Sequence, residues 1–138
     1  MNTPIMLAIL ALISGGLVTF LWKVAGANQV YVPSYMIVET VAFCVAAVLI
    51  HLVQRHPFDL SPKMTGLGAL GGIIGAISVY AMLLAFRLGG QGSIIFPIAG
   101  LGVVVAVILS YIVYREPITA TKIVGLGLGV SSIIVLSR

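Results

Sequence analysis

The sequence predicts an all-α integral membrane protein, and three observations carry that prediction. Of 138 residues, 61% are hydrophobic and 7% charged, against the roughly 25% charge with which a soluble domain covers its surface. The mean hydropathy is +1.25. The apolar residues also gather into five runs, each close to the ~20 helical residues that cross a hydrocarbon layer of about 30 Å. These runs are apolar on every side, whereas the strands of a membrane barrel alternate.

The five spans are expected at 4–25, 33–53, 64–86, 93–114 and 118–137. Between them lie GANQVYV, QRHPFDLSPK, RLGGQGS and REP, which hold most of the charge and turn-forming chemistry. The first run opens as MNTPIMLAIL, with no basic stretch ahead of it, and continues too far for a cleaved secretory signal. It is therefore expected to stay in the protein.

The second span carries the anomaly, a single acid in PSYMIVETVAF. Glu39 stands six residues past Pro33, roughly 9 Å along a helix rising 1.5 Å per residue. That is too deep for a loop. An ionised carboxylate there needs a cation, a water-filled cavity or a bound proton. Lys23 is the candidate cation: it lies eight residues before Tyr31 and Glu39 eight after it, so an antiparallel hairpin turning near Tyr31 brings the two to similar depth. Trp22, Tyr35 and Thr19 surround the pair in sequence. Tyr35 precedes Glu39 by one helical turn, on the same face. Aromatic rings beside an acid suit an organic cation, through cation–π contact and charge pairing; the same rings also suit an interfacial belt.

The third span pairs Gly68 with Gly72 and Gly71 with Gly75, a spacing that lets a neighbouring backbone approach closely. Packing within the subunit is expected there. In the fourth span Pro97 removes a backbone hydrogen bond and crowds the preceding turn, with Gly100 and Gly102 behind it, so a bend or hinge is expected. The fifth span begins with Pro117 at its first position, after Glu116, which favours a helix N-terminus. Lys122 is placed to snorkel to the interface. Gly125, Gly129 and Ser132 share a face of that helix and are candidates for contact with a second subunit.

Several classes of function find no support. Cys44 lies alone in an apolar run and reads as a small buried hydrophobe. His51 and His56 have no acid or thiol at ligand spacing, so no metal is expected. Asp59 sits in a loop. No nucleophile–base pair or phosphate-cradling loop is present, and the glycines of RLGGQGS fit no such signature. No enzyme and no cofactor are expected. The net charge of +4 comes from seven scattered Lys and Arg residues, which suits membrane flanks and anionic lipids rather than nucleic acid.

GGLVTFLWK, the polar residue after PSYMIV, AMLLAFRLGGQGSIIFPIAGLGVVVAVILSYIVYREPIT and IVGLGLGVSSIIVL together resemble one EamA-type domain of the drug/metabolite transporter superfamily. The most specific block is 81–119, with its small-residue linker, early proline and acid after the helix. The resemblance covers nearly the whole chain, 1–138, as one EamA-like domain. It implies a five-transmembrane-helix bundle equivalent to one half of an inverted-repeat transporter, because full-size members hold two such domains in opposite orientation around a central pathway. It also implies a retained first-helix lysine in Lys23. The superfamily includes small multidrug exporters and flippases of lipid-linked sugars, which leaves the cargo open.

The basic residues add a constraint on assembly. One side of a five-span chain holds Arg55, Lys63, Arg115 and Lys122; the other holds Lys23, Arg87 and Arg138. Four against three is nearly no bias, so both orientations are expected. The reading is a secondary transporter or exporter of small metabolites or organic cations, proton-coupled through Glu39 and acting as an antiparallel homodimer with dual topology in a prokaryotic cytoplasmic (inner) membrane. The alternative is a lipid-linked sugar flippase or an accessory membrane subunit.

Overall fold

The computed structural model describes residues 2–115 and 119–136. Every regular element among them is helical: α1 (Thr3–Ala27), α2 (Val32–Gln54), α3 (Pro62–Arg87), α4 (Gly92–Gly100), α5 (Gly102–Tyr114) and α6 (Ala120–Leu136). Local chemistry explains the starts of the first three. Each has proline in its first turn, where the missing N–H would be unpaired anyway. At α3 the Ser61 hydroxyl also accepts from the Met64 amide at 3.4 Å, and Asp59 holds Ser61 through its backbone N–H at 2.8 Å. Asp59 thus has a structural task at the entrance of α3. The ends of α2 and α5 are closed by Arg55 and Arg115 in the left-handed conformation, at φ 53° and 51°, each sending its N–H back to the helix.

Four stretches are long and apolar enough to span a membrane: α1, α2, α3 and the combined run Gly92–Tyr114. Their bounds lie within two residues of the predicted spans. The fourth is interrupted at Leu101, between α4 and α5, where the Leu101 amide bonds the Ile98 carbonyl three residues back and Val104 in turn bonds Leu101. The interruption falls one turn after Pro97, at a residue flanked by two glycines. The fifth apolar helix, α6, has a shorter apolar stretch, Ile123–Val135. Glu116, Pro117 and Arg138, together with the side chain of Lys122, lie outside the described residues.

The chain forms two compact units, 1–89 and 90–138. In the first, α3 packs against both α1 and α2 around Ala25, Val32 and Leu83, with Trp22, Tyr35, Met36 and Val79 against them. This core sits at the end of the unit near the α1–α2 turn. It is tightened there by Gly26, where an added Cβ would stand 2.5 Å from Phe86 Cβ and 2.9 Å from the Arg87 amide nitrogen. Gln29, at φ 56°, donates its side-chain N–H to the Arg87 carbonyl at 3.0 Å. Away from this end the helices present apolar side chains outward, Leu12 at 74% exposure and Val53 at 82%. That surface requires an apolar solvent. In the second unit α4 packs against α6 and α5, with Ile133 Cδ1 3.7 Å from the place of a Cβ on Gly100.

Candidate functional site

Within the first unit a groove of about 640 Å³ runs between the three helices, lined by Val18 and Trp22 of α1, Met36, Glu39, Thr40 and Phe43 of α2, and Gly72, Gly75, Ala76 and Val79 of α3. The lining repeats one helical spacing. Residues i, i+3, i+4 and i+7 contribute from α2 and again from α3, and i and i+4 from α1, so a single face of each helix forms a wall. The start of α2 and the end of α3 meet on one core, where Met36 and Val79 both pack on Val32 and Leu83 with Ala25, so the two helices run antiparallel.

Glu39 is the one charged residue of this wall. Its Oε1 accepts the indole N–H of Trp22 at 2.8 Å, a half-buried bond. The hairpin brings residues of α1 and α2 to equal depth, as the symmetric placement about Tyr31 requires, but the partner delivered to the acid is Trp22. Lys23 is half-buried, yet one residue further along α1 means about 100° around the axis, and it is absent from the lining. A tryptophan has only a donor to offer, and a carboxylate only acceptors, so the pair is chemically matched without neutralising the charge.

The other residues named from sequence fall elsewhere. Tyr35 packs on the Ala25–Val32–Leu83 core. The Thr19 hydroxyl bonds the Gly16 carbonyl of its own helix at 2.9 Å. Pro97 and Gly100 flank the α4–α5 interruption described above. Gly125, Gly129 and Ser132 are exposed, and a Cβ on either glycine meets nothing within 4 Å. The third-span glycines differ from the expectation of close packing: Gly68, Gly71, Gly72 and Gly75 all face open space. Spacing alone identifies a smooth helix face, and within the first unit no described backbone comes to cover it. Sequence reading missed Thr40 and Phe43, which lie one and four residues after Glu39 and were reachable by following the acid's helix face. It also missed Gly26, whose close approach depends on a helix distant in sequence. Among the described residues no group of three or more His, Cys, Asp or Glu is placed to hold a metal ion.

A bundle of apolar helices, four stretches of it long and apolar enough to cross a membrane, is that of an integral membrane protein, and Glu39 lines a groove in its first unit. The profile of the EamA-like transporter family matches residues 2–138. The chain belongs to that family, as a single EamA-like domain of the drug/metabolite transporter superfamily, and is a membrane transporter by family. No curated protein sequence and no solved structure matches it.

Proposed function

We propose that this domain carries small organic cations across the membrane, with Glu39 holding cargo and proton in turn. The observation that carries the reading is the Glu39 carboxylate, fixed by Trp22 in a groove whose other lining residues are uncharged. A cation entering such a groove finds one charge partner and aromatic surface from Trp22 and Phe43. A proton on the same carboxylate removes that partner, so proton and cargo exclude each other. This exclusion couples their movements.

The assembly completing the pathway is an antiparallel homodimer in a prokaryotic cytoplasmic membrane. Near-balanced basic residues permit insertion both ways, and two opposed copies recreate the inverted pair of domains used by repeat-built transporters. The exposed face of Gly125, Gly129 and Ser132 is available for helix contact.

Equilibrium binding of tetraphenylphosphonium to the purified protein across the acid-to-neutral range tests the exclusion. Affinity should fall as pH falls, because the proton takes the carboxylate, while Glu39→Gln should bind weakly at every pH. Wild-type binding that ignores pH, or undiminished binding by the Gln variant, overturns the reading.

A further inference from the structure

The geometry points to Gly72 and Gly75, with Ala76 beside them on the same helix face, as the residues that set how wide a cargo the Glu39 groove accepts. This assignment rests on the cation reading above and adds a determinant that the carboxylate cannot supply. Charge selects the sign of the ligand; the α3 wall selects its girth.

Small residues on membrane helices normally let another backbone approach. Gly26 does so, leaving no room for a Cβ against Phe86. Gly72 and Gly75 do the reverse: a Cβ at either meets no heavy atom within 4 Å, yet both line the groove. Their missing side chains therefore keep space open instead of closing it. The space belongs to the same groove as the functional wall, which α2 lines with Glu39, Thr40 and Phe43 and α3 with Gly72, Gly75 and Ala76. The groove's ~640 Å³ falls in the range of roughly 300–1,000 Å³ typical of small-molecule sites. Glycine carries a helical cost of roughly 1 kcal/mol against alanine in a helix interior, and at Gly72 and Gly75 no close packing offsets it.

Dissociation constants for tetramethylammonium, tetraethylammonium and tetraphenylphosphonium, measured on the full chain, test the assignment. Gly72→Leu and Gly75→Leu should weaken tetraphenylphosphonium by about tenfold or more and leave tetramethylammonium within about twofold, tenfold being about 1.4 kcal/mol. Glu39→Gln should weaken all three. Should a leucine variant fail to fold, Gly72→Ala and Gly75→Ala carry the test, with a smaller loss in the same order of ligand size. Equal weakening of all three cations by the glycine variants, or none, overturns the girth assignment while Glu39-dependent binding leaves the cation reading standing. Absence of binding by the wild-type protein overturns both.

Discussion

The indole Nε1 of Trp22 donates to Oε1 of Glu39 across 2.8 Å, joining α1 to α2 at the one acid of the groove. Hydrogen bonds to a charged group are worth about 1.5–3 kcal/mol, so this bond orients the carboxylate as well as linking the helices. Trp22→Phe keeps an aromatic ring in place and removes the donor along with part of the indole's surface. Tetraphenylphosphonium affinity should fall about tenfold, near the lower end of that energy, with thermal stability changed less than in Trp22→Ala, which also strips packing from the Leu83 core. Unchanged affinity in Trp22→Phe would show that the bond does not position the acid.

Two glycine substitutions should move stability in opposite directions. Gly26→Ala forces a Cβ against Phe86 and the Arg87 backbone, and overpacking of this kind costs roughly 1–3 kcal/mol. Gly72→Ala meets open space and exchanges a poor helix former for the best one, a gain of up to about 1 kcal/mol. Thermal unfolding in one detergent should rank Gly72→Ala at or above wild type and Gly26→Ala clearly below.

Replacing Pro97 separates a bend from a hinge. Pro97→Ala restores an N–H able to bond the Ser93 carbonyl and removes the ring's clash, an effect of roughly 3 kcal/mol in a helix interior. If the interruption at Leu101 moves during transport, flux should drop severalfold with cation binding unchanged. Full flux in Pro97→Ala would make the bend static.

Orientation should respond to single charges. On the proposed five-span topology Arg55, Lys63, Arg115 and Lys122 share one side and Lys23, Arg87 and Arg138 the other, so one added lysine on either side should drive insertion one way. Each biased variant should lose activity alone, and mixing the two should restore it. Reporters fused at the two ends, compared within one orientation, should always lie on opposite sides. A biased variant fully active by itself would contradict the antiparallel pair.

Much of this architecture is legible in the sequence because membrane spans obey a length and polarity rule that four stretches satisfy on their own, while α6 holds a shorter apolar stretch. The hairpin turning near Tyr31 also yields the depth at which Glu39 meets α1. Which α1 side chain reaches it is a matter of rotation about the axis, and a one-residue difference exchanges Lys23 for Trp22. Pro97 marks the disturbed helix, yet the break falls at Leu101, where flanking glycines offer the weakest backbone. Small-residue spacing in α3 reads the same whether a helix packs on it or a groove lies beside it; that distinction depends on neighbours distant in the chain. Gly26 illustrates the converse, a tight approach to Phe86 that no local pattern announces.

The central claim is that Glu39 exchanges a proton for a cation, and flux into liposomes tests it most directly. Tetraethylammonium, permanently charged and slow to leak, is loaded outside vesicles holding the wild-type protein or Glu39→Gln, whose amide oxygen can still accept the Trp22 hydrogen bond. With the lumen made acidic, wild type should accumulate the cation and lose the accumulation when a protonophore collapses the gradient, while Glu39→Gln should show leak alone. Gradient-driven uptake by the Gln variant equal to that of wild type, or wild-type uptake indifferent to the gradient, would contradict the account.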